Sequence, residues 1–280
     1  MGLATPYRIR PGTPSHEVAA LVEASMAEYH LTAAVHVPGS TWHADSSIVW
    51  ACTPTELLDM NGVFRSVWHG DAVEEEIAKV RTALAHTRVP YLWHVGPLAR
   101  PSELAGRLLA HGFRLHEIEP TMAIDLDRAN IHAPSPDRLR VTAVRTGEQM
   151  AQWADTWASP AAAAFQAVAR GVYGSVPFGE RSPFQYRTGF MDGVPVATLL
   201  LYLGETAAAL HWVATVPALR RRGVATALAA AALAEARDAG YHTAVLTASA
   251  AARSLYAKLG FREYGDVVRL RAPASAPPDS

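Results

Sequence analysis

One stretch, Leu210 to Gly260, constrains this chain more than any other. An apolar, β-prone run ends at Val216, the chain passes through Pro217-Ala218-Leu219-Arg220-Arg221-Arg222-Gly223, and residues 225–239 are almost entirely Ala and Leu. Alanine and leucine favour helix, whereas the apolar run before them reads as a buried strand. The segment is therefore a strand-to-helix turn. Within it, Arg220-x-x-Gly223-x-Ala225 puts small residues where the backbone turns tightly and where a ligand can approach the main chain. A helix starting there directs unpaired N–H groups and the positive end of its dipole out of the turn, which makes an anion site suited to a pyrophosphate. A dinucleotide fingerprint needs Gly-x-Gly-x-x-Gly early in a βαβ unit. This turn has a single glycine and falls late in the chain.

The pattern resembles the acetyl-coenzyme A loop of the GNAT superfamily of N-acetyltransferases, whose form is Arg/Gln-x-x-Gly-x-Gly/Ala after a strand. Two further features arrive in that family's order. Residues 243–247 read as the next strand, and Ala252-Arg253-Ser254-Leu255-Tyr256-Ala257-Lys258-Leu259-Gly260-Phe261 is similar to the helix that follows it, with its tyrosine and Gly-Phe ending. Ser249 stands where the family often has asparagine. The resemblance covers roughly the last half of the chain. It implies the GNAT fold, an α/β architecture (α+β, with a mixed sheet), and acetyl-coenzyme A as acyl donor.

At 280 residues the chain is long for one core and comfortable for two. Its formal charge of -1 offers no electrostatic reason to expect a nucleic acid or an anionic membrane surface as partner. The lone cysteine, Cys52, excludes an internal disulfide, fits a reducing compartment and reads as a buried small residue. No export signal is expected at the start, and the Ala-rich run 225–236 is too short to span a bilayer. The expectation is a cytoplasmic protein. The twelve histidines show no metal-ligand spacing, so no metal site is expected.

In chain order, Ser15 is expected to cap a first helix ending near His30. Strands are expected over 48–52 and 63–68, with Asn61-Gly62 as a turn between them. Asp71 should cap a helix over 72–86, and a strand (91–95), a helix (101–110) and a closing strand pair (115–126) follow. The second half should hold a strand (139–144), helices (147–157 and 161–170), a loop (171–183) and two strands (184–191 and 194–201). Asp192-Gly193 joins those last strands as a type I′ hairpin. The closing segments of the two halves match in type when aligned on Gly112-Phe113 and Gly260-Phe261, which looks like an internal repeat. The first copy lacks Arg-x-x-Gly-x-Ala and has Leu108 in place of Tyr256. The expected organisation is two tandem GNAT-like domains: a degenerate copy over 1–127, a linker over 128–137, a catalytic copy over 138–271 and a disordered tail over 272–280.

Acetyl transfer requires a held thioester, an uncharged amine and a stabilised leaving thiolate. By resemblance, Tyr256 donates a proton to that thiolate; its alternative reading is an aromatic core residue. His211 falls on an expected strand face running through Ala209, Val213 and Thr215, where related enzymes carry a proton-relay histidine. Ala209 stands where the relay's second group would be, and a half-buried packing role for His211 stays open. The backbone of Arg221, Arg222, Gly223, Val224, Ala225 and Thr226 should bind the pyrophosphate, with the side chains of Arg220, Arg221 and Arg222 adding charge. The edge formed by Val213, Ala214 and Thr215 should pair with the pantetheine arm, and Ser249 should contact the coenzyme. The expected acceptor is a primary amine of a small molecule, an antibiotic or metabolite. A mycothiol-synthase-like enzyme and a non-catalytic acyl-coenzyme A sensor or assembly module are the alternatives.

Overall fold

The computed structural model describes residues 6–69 and 72–273. The first half runs α1 (Ser15–Ala34), β1 (Thr41–Ala44), β2 (Ile48–Cys52), β3 (Gly62–Ser66), α2 (Val73–Ala85), β4 (Leu92–Val95), α3 (Leu104–Ala110) and β5 (Arg114–Asp125). The second half runs β6 (Leu139–Ala143), α4 (Gly147–Ala158), α5 (Ala163–Ser175), β7 (Phe184–Met191), β8 (Val194–Leu203), β9 (Ala208–Thr215), α6 (Val224–Asp238), β10 (Thr243–Thr247), α7 (Arg253–Leu259) and β11 (Arg262–Arg271).

All eleven strands form one mixed sheet in the order β1-β2-β3-β4-β11-β5-β10-β9-β8-β7-β6. The last strand of each half lies inside the territory of the other. β11 pairs antiparallel with β4, and β5 pairs antiparallel with β10, while β5 and β11 pair with each other. In each half a parallel pair, β3/β4 or β9/β10, holds only two registered partners before the strands diverge. The ends of α3 and α7 also repeat one geometry. Phe113 N–H donates to Leu108 and Phe261 N–H to Tyr256, both at 3.1 Å, and Gly112 and Gly260 both have positive φ.

Hydrophobic clusters cover the sheet, the smallest of them joining Ala27 and Ala34 of α1 to Val49, Ala51 and Phe64. α1 packs with α4 and α5 over Tyr29, Trp153, Tyr173 and Phe184, so a helix of the first half shares a core with helices of the second. Alternate residues of the same strands, such as Leu210, Ala244 and Leu246, face a core containing α6 and α7. Another core joins α2 and α3 to Val63, Trp93 and Leu270. Among the described residues no helix is long and apolar enough to cross a membrane.

Several local expectations are corrected. α1 has Pro14 rather than Ser15 as its N-cap and continues to Ala34, because Ala33 and Ala34 are buried and extend its packing. Residues 41–44 form a strand. Gly62 belongs to β3, and the Asn61 side chain braces the preceding loop, accepting from Thr53 and donating to Thr55 and Pro90 carbonyls. The expected pair over 115–126 is one long strand, because it has β11 on one side and β10 on the other. α5 extends to Ser175 because Val172 and Tyr173 are buried in the shared core. Asp71 and residues 274–280 of the expected tail lie outside the described residues.

Candidate active site

A cavity of about 280 Å³ lies where the halves meet, lined from the first half by Glu23, His30, Asp59, His94 and Glu119 and from the second by His211, Val213, Ser249, Tyr256 and Arg269, among others. Val213, Ser249, His211 and Tyr256, which are far apart in sequence, are thus brought together. Trp157 and Trp212 contribute aromatic walls.

The opening at this site has a local cause. Trp212 has φ +52, in the left-handed region, and the β8/β9 register shifts by one residue there. A non-glycine residue in that region marks a bulge, which turns a strand. The bulge is braced by Thr198, whose hydroxyl donates to the Trp212 carbonyl, and by Tyr29, whose hydroxyl accepts from the Trp212 indole. Past it, β9 has no registered partner on the β10 side, since that ladder ends at Ala209 and Val245. The edge at Val213, Ala214 and Thr215 is therefore open toward β10.

The bulge corrects the expected alternation through Ala209, His211, Val213 and Thr215. Ala209 and Trp212 pack into the α1 core, whereas Leu210 and Val213 pack into the α6/α7 core. His211 stacks on Tyr29 with ring centroids 3.6 Å apart, and its Nε2 is buried without a hydrogen-bond partner. Burial drives its pKa down to about 3. Such a ring is neutral at pH 7 and is a poor acceptor for the proton of an alkylammonium. The proton-relay reading of His211 is weakened accordingly.

Beyond β9 a short 3-10 turn, Pro217–Leu219, leads to the arginines. Arg220 donates from Nε to the Thr215 carbonyl at 3.0 Å, so its side chain ties the loop to the strand end. Arg221 has φ +63, Arg222 is exposed, and Gly223 is the N-cap of α6 with φ +81. Among the described residues no side chain caps this helix. The N–H groups of its first turn, at Val224, Ala225 and Thr226, are left for another acceptor, and the helix dipole adds positive potential at the same place.

Tyr256 comes from α7, is buried to 5% exposure and packs edge-on against Phe261. Burial alone raises its pKa, which keeps the hydroxyl protonated. Ser249 is exposed and its carbonyl accepts from Ala252 and Arg253, starting the turn into α7.

The groups that sequence reasoning missed come mainly from the first half. Along one side of α1, Glu23, Met26 and His30 face the cavity. His30 stacks on Phe64 at 4.1 Å and lies 5.9 Å from His94. Burial pushes both histidines well below the usual imidazole range. Arg269 pairs with Asp59, with Glu119 at 3.2 Å and with Glu117 at 3.7 Å. An arginine within a strand, Arg269, and a histidine inside an apolar helix, His30, are the local signals of this cluster. Among the described residues no three such side chains converge to hold a metal ion.

Comparison with known proteins follows the same division. Residues 150–261 match the family described as the Acetyltransferase (GNAT) family. No curated protein matches the sequence. A GCN5-related N-acetyltransferase from Kribbella flavida shares the fold with a TM-score of 0.67 at 20% identity, over 90% of this chain and 96% of that one. A GCN5-related N-acetyltransferase from Sphaerobacter thermophilus does so with a TM-score of 0.55 at 16% identity, over 96% of each chain. A tandem GNAT protein from the clavulanic acid biosynthesis pathway is similar at a TM-score of 0.55 and 16% identity, over 98% of this chain and 99% of its own. The second half thus matches the acetyltransferase (GNAT) family over residues 150–261, and the fold is shared along almost the whole chain with GCN5-related N-acetyltransferases.

Proposed function

We propose that the protein is an acetyl-coenzyme A-dependent N-acetyltransferase that acylates a primary amine of a small molecule by direct attack, with no acyl-enzyme. The supporting observation is that Val213 of the open β9 edge and the buried, protonated Tyr256 line one cavity, and that β9 runs on through a short turn to the uncapped N-terminus of α6 behind Gly223. The chemistry of this set fits the donor. Backbone N–H groups from Arg221 to Thr226 would hold a pyrophosphate, Arg221 and Arg222 would add charge, and the β9 edge would pair with the amide groups of the pantetheine arm. Tyr256 would protonate the departing sulfur, and Ser249 lies at the cavity rim to contact the donor.

The cavity's size bears on the acceptor. Drug-sized ligands occupy roughly 300–1,000 Å³, and the space here is about 280 Å³. A small amine, or the amine-bearing end of a larger molecule, suits it better than a whole aminoglycoside. We read residues 138–271 as the catalytic copy and residues 1–127 as a degenerate copy that completes the pocket, joined by residues 128–137, in a cytoplasmic protein. Calorimetric titration with acetyl-coenzyme A, followed by thiol release against a panel of amines, tests the assignment. Binding with amine-dependent release supports it, and absence of binding sinks it.

A further inference from the structure

Ala209 carries no base and burial disfavours protonation of His211, yet the amine must lose a proton before it attacks. A carboxylate from the other half of the chain stands in the same cavity. In the β5/β10 ladder Thr121 is partnered with Thr247, and Ala248 N–H donates to the Pro120 carbonyl at 3.1 Å. One step further, Glu119 stands level with Ser249, at the end of β10 that leads into α7 and Tyr256. Its side chain lines the cavity together with Thr247, Ser249 and Tyr256 and is 13% exposed.

We propose that Glu119, carried on the exchanged strand of the first half, is the group that accepts the ammonium proton of the acceptor. This rests on the acetyl-transfer reading above. In balance, one ammonium proton passes to a Glu119 carboxylate oxygen and on to solvent. The freed lone pair forms the N–C bond to the acyl carbon while the C–S bond breaks. The second nitrogen proton replaces the one that Tyr256 gives to sulfur. The products are amide, thiol and one released proton.

The surroundings suit the task. Burial raises the Glu119 pKa, and the Arg269 guanidinium opposes that rise. Arg269 is shared with Asp59 and Glu117, so it orients Glu119 without neutralising it alone. The other titratable groups facing the cavity are Glu23 and His30 from α1, His94 from β4, His211 from β9 and Tyr256 from α7. The histidines are neutral, so the lining carries more negative than positive charge, which attracts an ammonium.

The test compares wild type, Glu119→Gln and Glu119→Asp with an alkylamine and with an arylamine, which is unprotonated at neutral pH. Glu119→Gln should lower kcat/KM for the alkylamine roughly 100- to 1000-fold at pH 7 and remove the acid limb of its pH profile. The arylamine should lose roughly tenfold less, because it brings no proton to be removed. Acetyl-coenzyme A affinity should be unchanged. Glu119→Asp keeps a charge beside Arg269 and should retain the acid limb at reduced rate. Equal losses on both amines, or alkylamine turnover within threefold of wild type, would overturn the proposal while leaving acetyl transfer intact. A wild type that binds no acetyl-coenzyme A, or that acetylates neither amine class, would overturn both.

Discussion

The His211 ring lies on Tyr29 with centroids 3.6 Å apart and planes 22° from parallel, which joins the central strand of the second half to the long helix of the first. The next residue of that helix, His30, stacks on Phe64 of β3 in the same way. The helix therefore lays one aromatic contact on each half of the sheet, and both involve a histidine that burial keeps neutral.

This arrangement makes stability depend on pH. His211 has its pKa lowered to about 3, and His30 and His94 are also well below the ordinary value. Below about pH 6.5 the unfolded chain takes up protons that the folded chain refuses. Their contribution is therefore complete above that pH and is lost as pH falls toward the folded values. The loss is at most roughly 1.4 kcal/mol per histidine per pH unit. Glu23 and Glu119, with raised pKa values, act in the opposite sense and offset part of the loss as pH nears the carboxylate range. Urea unfolding should show a decrease of roughly 2–4 kcal/mol between pH 7.5 and 5.5, and His211→Phe should flatten that slope by about a third. A stability independent of pH across this window would refute the account.

Tyr256 lines the cavity from α7, and its ring packs on Phe261. Tyr256→Phe keeps that packing and removes only the hydroxyl. Turnover should fall roughly 10- to 1000-fold, with acetyl-coenzyme A affinity within about twofold of wild type and the melting temperature nearly unchanged. Steady-state kinetics alongside calorimetry separates these quantities. Unchanged turnover would remove the tyrosine from the chemistry.

At Gly223 the prediction concerns binding rather than chemistry. A side chain at φ +81 is strained by about 1 kcal/mol or more, but among the described residues outside its own helix a Cβ there would meet Pro136 no closer than 3.8 Å. Gly223→Val should thus fold. It should also crowd the N–H groups of Val224 to Thr226 and lower acetyl-coenzyme A affinity at least tenfold by calorimetry. Retained affinity would mean that the phosphates bind elsewhere.

What could be read in advance was what neighbours in sequence decide. Asp192-Gly193 forms the expected turn with φ of +50 and +81, and β7 and β10 span the expected residues. Thr146 and Gln149 close a capping box that the same local logic could have found. What stayed hidden depends on pairing across the chain. Glu119 and Val267 face each other in the β5/β11 ladder 148 positions apart, the same separation as Gly112 and Gly260. The sequence repeat hinted at two similar halves, but no local pattern says that their last strands change places. The bulge at Trp212 is equally invisible, since tryptophan is a poor choice for positive φ and is held there by Thr198 and Tyr29.

Gly62 shows how a local signal can mislead, and it yields the final prediction. After Asn61 it reads as a turn residue, yet it opens β3, where Gly62 and Leu92 are partners in the short parallel pairing with β4. A Cβ on Gly62 would stand 2.4 Å from the Leu92 carbonyl oxygen, a backbone atom that cannot swing aside. The glycine is there for close approach of two strands, not for a turn. Gly62→Ala must push β3 and β4 apart at one of their two registered pairs and disturb Asn61, whose main-chain carbonyl accepts from Leu92 N–H at 3.0 Å. The cost should be on the order of 2–3 kcal/mol, since it combines overpacking with strained hydrogen bonds, read as a lower urea midpoint. The loop at Gly223 follows β9, which β11, β5 and β10 separate from β4 in the strand order, so coenzyme affinity of the folded variant should remain within a few-fold of wild type. Unaltered stability would mean that β3 and β4 do not meet as closely as the two-residue ladder requires.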